Sequence, residues 1–345
     1  MNRIIRTLIV DDSAFVRKVV REMLSRSPYI EVVGAARDGI EALELVEQLK
    51  PDVVTCDLMM PRMDGVTFVR EQMRRRPLPI LIITALEEGG EKALLAVEAG
   101  AVDIVQKPTA LANDKLLEIQ EELVEKIKAV AQTPPDRLQS PEPSEKIIQP
   151  PKAPTGLIKI VVIGISTGGP QALRFLVPQI PVDFPVPIAI VLHMPLGYIQ
   201  MFAEKLNEIS KVDVCEVQEG DELKAGKVYL AQAGRHFFLN RKSESTVIAD
   251  LRLTPNDGVH CPSADVLFQS AAECYGAGVL GVIMTGMGDD GKRGAAWIKA
   301  KGGTILTEAE QSCVIYGMPR SVVEAGLSDD SASLEKMAEK IIEIL

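Results

Sequence analysis

Two alternating patterns run along this chain. Short unbroken apolar runs ("TLIV", "VVGAA", "VVTC", "ILIITA", "VDIV") are separated by stretches in which apolar residues return every three or four positions. The runs read as strands buried on both faces, and the spaced stretches as amphipathic helices laid over a parallel sheet. Before residue 129 this predicts five strand–helix pairs. The strands are "RTLIVDD", "IEVVGAA", "DVVTCDLMMP", "PILIITA" and "AVDIVQKP", and the last helix spans about 113–130. The periodicity stops over 129–156, where seven prolines fall in "AVAQTPPDRLQSPEPSEKIIQPPKAPTG". Such composition reads as an extended linker. Beyond it the pattern resumes with strands "IKIVVIGIS" and "VPIAIVLHMP" and a helix over "GYIQMFAEKLNEIS". A hairpin region follows over "VYLAQAGRHFFLNR" and "STVIADLRLTP", then a helix over "SADVLFQSAAECYG" and the strand and turn "GVLGVIMTGMGDDG". A helix "GAAWIKAKGG", a strand "GTILTE" and a C-terminal helix from near 331 complete the chain. The expectation is two doubly wound α/β domains, 1–128 and 157–345, joined by a linker over 129–156. The first has a flavodoxin-like parallel sheet of order 2-1-3-4-5, the second a mostly parallel sheet with a β-hairpin.

Composition narrows the function classes. Length of 345 residues and 46% hydrophobic content suit two ordinary cores. No apolar run reaches the ~20 residues of a membrane-spanning helix, so membrane insertion is not expected. Net charge is −10 and the densest basic cluster, "RRRP" at 74–77, closes a predicted helix, which argues against nucleic acid as a partner. Five scattered cysteines with no C-x-x-C fit a reducing cytoplasm rather than a disulfide framework. His260–Cys261 has no second ligand pair at metal-binding spacing.

In the first domain the chemistry gathers at predicted strand ends. Asp11 and Asp12 end the first strand, Asp57 the third, Thr84 the fourth and Lys107 the fifth. All carboxyl ends of a parallel sheet share one edge. Three carboxylates there call for a hard cation, and Mg²⁺ with oxygen ligands fits. An aspartate beside that ion can attack a phosphoryl group, with a hydroxyl and an ammonium holding its oxygens. "VDDS", "CDLMMPRMDG", "ITA" and "QKP" make residues 1 to about 125 resemble a two-component response-regulator receiver domain. The resemblance implies phosphorylation of Asp57 by a histidine kinase, and Mg²⁺ held by Asp11, Asp12, Asp57 and the carbonyl of Met59. Thr84 and Lys107 would bind the phosphoryl group, and the Lys107–Pro108 peptide would be cis. One position departs: Ile104 stands three before the lysine, where the family usually has a Phe or Tyr that swings on activation.

In the second domain the motif "GISTGGP" carries three readings. A dinucleotide loop wants glycine where Ser166 stands, and an acid at the end of the next strand, which ends instead in His193. Ser166 or Thr167 could be a plain helix N-cap. The third reading is G-x-S-x-G, a nucleophile on a strained strand-to-helix turn. A serine needs a base and an orienting acid. The chain has three histidines. The order Ser166, His193, acid places its residues at strand ends; the rival order pairs Asp250 or Asp257 with His260. "GMGDDG" supplies Asp289 and Asp290, between which sequence physics does not choose.

Residues 158–345 also resemble the catalytic domain of the chemotaxis protein-glutamate methylesterase/protein-glutamine glutaminase family, through "GISTGGP", "LHMP", "AGRHFFL", "HCPSADVLF" and "MTGMGDDG". The resemblance implies Ser166 as nucleophile, His193 as base and Asp290 as the acid, with the amide of Met287 and the turn at Thr167 as oxyanion donors. It assigns no chemistry to His236 and His260. It implies a cytoplasmic, phosphorylation-activated hydrolase acting on glutamyl methyl esters and glutamines of chemoreceptor cytoplasmic helices, with no cofactor for the ester step. Control would follow if the unphosphorylated receiver covers the Ser166 edge. The rivals are a receiver-controlled esterase or amidase for another substrate, and a phosphorylation-dependent binding module without catalysis.

Overall fold

The computed structural model describes residues 3–107, 113–138, 157–254 and 260–345, the side chains of 86–89 and 113–118 aside. The chain divides into two compact units, Met1–Ser140 and Pro141–Leu345.

In the first unit β1 (Ile5–Val10), β2 (Ile30–Ala36), β3 (Val53–Cys56), β4 (Ile80–Thr84) and β5 (Asp103–Gln106) form one parallel sheet of order β2-β1-β3-β4-β5. Every residue of β3 and β4 is buried, as their unbroken apolar sequence requires. The helices are α1 (Ala14–Ser25), α2 (Gly39–Leu49), α3 (Gly65–Arg75), α4 (Leu86–Glu98) and α5 (Asn113–Val130). Ser13, Asp38 and Asp64 start the first three by accepting backbone N–H bonds from the first turn. Helix α1 buries Val20, Met23 and Leu24, the i, i+3, i+4 stripe of its sequence.

The linker expected from 129 starts with packed structure instead. Helix α5 runs to Val130, and a 3₁₀ turn at Pro135–Leu138 buries Leu138. A proline at the first position of that turn has no amide to lose, so proline content alone misplaces this boundary. The rest of the expected linker and the Lys107–Pro108 peptide lie outside the described residues.

The second unit holds seven parallel strands in the order β14-β13-β12-β6-β7-β9-β8. They are β6 (Ile160–Ile165), β7 (Ile188–Leu192), β8 (Asp213–Glu216), β9 (Lys227–Leu230), β12 (Val279–Ile283), β13 (Thr304–Glu308) and β14 (Asp330–Ala332). The antiparallel pair β10 (His236–Arg241) and β11 (Val247–Arg252) forms its own sheet. The expected hairpin arm "VYLAQAGRHFFLNR" is therefore split between the two sheets. On one face the hairpin packs with α8 (Ala264–Tyr275), α9 (Lys292–Ala300) and α10 (Met318–Glu324), where Phe237, Phe268, Ile298 and Met318 share a core with Ile160 and Val162. Helices α6 (Gly169–Leu176), α7 (Ile199–Ile209) and α11 (Leu334–Ile344) complete the unit, α6 packing on both α7 and α11. Among the described residues no helix is long and apolar enough to cross a membrane.

Both sheets place a topological switch point where chemistry was expected. From β1 the chain goes to β2 on one side and β3 on the other; from β6 it goes to β7 and, later, to β12 on the opposite side. The crevice at such a point, outside the carboxyl ends, is where open α/β sheets bind ligands.

Candidate functional site

In the first unit four strands bring their last or next residue to one edge. Asp11 follows β1, Asp57 follows β3, Thr84 ends β4 and Lys107 follows β5. Backbone bonds hold them side by side: Asp57 N–H donates to Val10 and Lys107 N–H to Thr84. Carboxylate oxygens of Asp11, Asp12 and Asp57 lie within 4.8 Å of one another. Lys107 Nζ bridges the two buried ones, 3.0 Å from Asp11 Oδ2 and 2.9 Å from Asp57 Oδ2. Burial pushes the carboxyls of Asp57 and Asp11 above the ordinary range, and Lys107 opposes that rise in both. Burial pulls the Lys107 ammonium down, but Asp57 and Asp11 outweigh it and the net direction is up. This is one ammonium against three acids, a site short of positive charge. Oxygen donors so close together suit a small hard cation, and Mg²⁺ fits the set.

Asp11 and Asp12 do not cap the helix that follows them. Ser13 caps α1, while Asp11 Oδ1 accepts the Ser13 N–H at 2.8 Å and its other oxygen faces Lys107. Met59 is 40% exposed, with Lys92 Nζ 3.3 Å from its sulfur. Ile104 is buried in β5, and its carbonyl accepts from the buried Lys126, which also pairs with Asp103 and Glu122.

In the second unit Ser166 follows β6 and His193 follows β7, and these strands are neighbours in register, Ile165 opposite Leu192. His193 N–H donates to Ile165 at 3.1 Å, so serine and histidine stand on adjacent strand ends, about 4.8 Å apart in strand spacing. On its other side Ser166 N–H donates to the Thr285 carbonyl at 3.0 Å, just past β12. Gly286 comes next. A Cβ there would lie 2.7 Å from Ser166 Cβ, so only glycine lets this turn close on the serine.

Of the two aspartates, Asp290 is the one against His193. Asp289 is exposed and Asp290 buried. Its Oδ2 lies 2.9 Å from His193 Nε2 and accepts the Ala264 N–H at 2.7 Å. Its Oδ1 accepts from Ser263 Oγ, Asp265 N–H and Gly291 N–H. Burial works to raise its pKa, but His193, Ser263 and the amides outweigh it and hold the carboxyl well below the usual range. An ionised carboxylate can only accept, so His193 carries its proton on Nε2. Nδ1 is buried and has no hydrogen-bond partner among the described residues. The ring is turned over relative to the serine-protease arrangement, in which Nδ1 faces the acid.

Two sequence expectations change. Ser166 and Thr167 do not cap α6: the N-cap is Gly168, with no side-chain cap bond. Nor is Ser166 strained. Among the described residues the only non-glycine positive φ values are at Lys50 and Arg62, while Gly168 takes φ 80°. The left-handed residue of the turn is thus the glycine two after the serine. The rival acid–His260 order finds no support from Asp250. Asp250 binds Arg252 and Asn240 on the hairpin, and Asp257 lies outside the described residues. His260 stacks on His193 instead, rings 4.2 Å apart and 20° from parallel, and His236 is buried at the start of β10.

Sequence reasoning missed two supporting residues. Ser263, inside "HCPSADVLF", holds Asp290 while starting α8. Glu308, the last residue of β13, is 1% exposed and accepts the Thr285 N–H. A serine before an apolar helical run was a legible signal for the first; nothing local marked the second.

Comparison with known proteins identifies the family of each unit. The CheB methylesterase family profile matches residues 161–341, and the response regulator receiver domain profile residues 7–119. A Myxococcus xanthus protein named protein-glutamate methylesterase/protein-glutamine glutaminase 5 is 48% identical over 338 residues, 96% of each chain. A Pyrococcus horikoshii protein-glutamate methylesterase/protein-glutamine glutaminase is 39% identical over 350 residues, 99% of this chain and 94% of that one. The crystal structure of the Thermotoga maritima CheB methylesterase catalytic domain superposes with a TM-score of 0.53 at 40% identity, covering 55% of this chain and 99% of that one. With two matching domains in the same order and relatives alike over nearly their whole length, the chain belongs to the CheB methylesterase family, its methylesterase domain preceded by a response-regulator receiver domain.

Proposed function

We propose that this protein is a cytoplasmic, phosphorylation-activated esterase that hydrolyses glutamyl methyl esters on chemoreceptor cytoplasmic helices, releasing methanol, and deamidates receptor glutamines by the same route. The observation that carries the ester chemistry is the His193 ring: Nε2 is tied to a buried ionised Asp290, Nδ1 has no hydrogen-bond partner among the described residues, and Ser166 stands at the end of the neighbouring strand. Ser166 Oγ attacks the ester carbonyl as His193 Nδ1 takes its proton. Asp290 stabilises the imidazolium without accepting the proton. The amides of Met287 and Thr167, on turns either side of the serine, hold the developing oxyanion. His193 returns the proton to the departing methoxide, and a water activated by the same Nδ1 then cleaves the acyl-serine to glutamate. With a glutamine substrate ammonia leaves instead.

In the receiver, Asp57 would take a phosphoryl group from a histidine kinase, with Lys107 and Thr84 holding its oxygens. Asp11, Asp12, Asp57 and the Met59 carbonyl would hold Mg²⁺, which supplies the positive charge that the site lacks. Phosphorylation then raises the esterase rate.

Methanol release from a methylated receptor fragment tests the reading. Full-length protein should release methanol, phosphodonor should accelerate it, and Ser166→Ala should abolish it while staying folded. Unchanged turnover by Ser166→Ala would sink the triad. Removal of residues 1–140 should abolish the phosphodonor response, and a truncated protein still stimulated would refute receiver control.

A further inference from the structure

Glu308 is a carboxyl that the triad does not use, buried at the end of β13 next to the strand that carries the serine-side turn. Its Oε2 accepts the Thr285 N–H at 2.9 Å, and its Oε1 accepts the Ser312 hydroxyl at 2.9 Å. Ser312 Oγ is fixed in turn by the Leu334 N–H at 2.9 Å. The Glu308 bond continues directly into the nucleophile. The Thr285 carbonyl accepts the Ser166 N–H at 3.0 Å, and Thr285 Oγ1 donates to the Thr167 carbonyl at 3.0 Å. One residue further, the Gly286 carbonyl accepts from Gly317 and Met318, which fixes the turn leading to Met287. Thr285 is therefore the node that joins both sides of the proposed oxyanion site, and Glu308 is the side chain that holds its amide.

Burial pushes the Glu308 carboxyl up to about 7, with Thr285, Ser312 and Cys313 opposing and Glu335 adding to the rise. A leucine here would avoid that desolvation, so packing alone does not explain the acid. Both protonation states can be satisfied, because the Ser312 hydroxyl also reaches the Ala309 carbonyl at 3.2 Å. In either state one carboxyl oxygen stays available to Thr285.

We propose that Glu308 is a positioning residue for ester hydrolysis, holding the Thr285 amide so that the Ser166 turn and the Met287 amide keep the geometry of the transition state. This rests on the Ser166 reading above. Such a residue acts on the chemical step and not on substrate capture, so its loss lowers kcat and leaves KM alone.

The test compares full-length Ser166→Ala, Glu308→Leu and Glu308→Gln by methanol release from a methylated receptor fragment and by Ser166 labelling with a fluorophosphonate. Glu308→Leu, which removes the acceptor at similar volume, should lower kcat and the labelling rate ~10- to 100-fold with KM within about 2-fold. Glu308→Gln keeps an acceptor for Thr285 and should restore both to within about 3-fold of the parent. An unchanged kcat in Glu308→Leu, or a glutamine as slow as the leucine, overturns the proposal. Activity surviving in Ser166→Ala overturns the triad reading instead, which separates the two failures. Should Glu308→Leu not fold, Ser312→Ala carries the test. It frees Oε1 and should lower kcat about 3-fold at unchanged KM, and full kcat there is contradictory.

Discussion

The two units solve one geometric problem with different chemistry. Each puts reactive side chains at the carboxyl edge of a parallel sheet, beside the strands where the chain reverses its order. In the receiver the groups sit at or just past strand ends, and one lysine pairs with two of three clustered acids, which leaves the crevice short of positive charge. In the esterase unit the buried acid beside His193, Asp290, is saturated with donors and held ionised, and the imidazole Nδ1 is the atom without a partner among the described residues. In the proposed function the first site takes a cation and a phosphoryl group, and the second accepts a proton. On the proposed function the same architecture serves an electrophile-seeking acid in one half and a nucleophile–base pair in the other, and what differs is how completely the carboxylates are hydrogen-bonded.

Substitutions can break this contrast. The largest effect is expected from Asp290→Asn, which removes the charge that fixes the His193 tautomer; kcat should fall on the order of 10⁴-fold with folding retained, read by methanol release. Next comes Gly286→Ala. Its Cβ would meet Ser166 Cβ at 2.7 Å, and displacing the serine should lower kcat ~100-fold at nearly unchanged KM. On the receiver side, Asp57→Asn should leave basal methanol release unchanged and erase stimulation by a small-molecule phosphodonor. The smallest effect on rate belongs to Glu308→Gln, whose signature is stability. Glu308 in the fold titrates at about 7 against an ordinary 4.5, so its favourable contribution is complete below 4.5 and is lost as pH rises through 7. Glu308→Gln should therefore be more stable than the parent at pH 8, by on the order of 3 kcal/mol, with the gap closing near pH 4.5. Urea unfolding followed by Trp297, the single tryptophan and a residue of α9, reads this unit alone.

The legible parts of the sequence were those in which a side chain sits directly at the end of an apolar run. Asp11, Asp57, Thr84, Lys107, Ser166 and His193 all obey that rule, and the long buried strands fixed both sheets. For the acid, the pair Asp289 and Asp290 was legible but the choice of Asp290 came through family resemblance alone, because it lies well beyond Ile283, just before α9, and meets His193 beside the N-terminus of α8. Strands β8 and β14 were missed for a different reason: "DVCE" and "DSA" are too short and too polar at the sheet edges to show a period. Glu308 looks like any acid after a strand until its burial and its bond to Thr285 are seen.

The central claim is that Ser166 forms a covalent acyl intermediate with its proton carried by His193. It is tested most directly by mass analysis of the protein quenched during turnover of a slowly deacylating glutamyl ester. The account predicts one acyl group per chain on the peptide containing Ser166, and none in Ser166→Ala. Turnover without that adduct, or an adduct on another residue with Ser166→Ala still active, would contradict it.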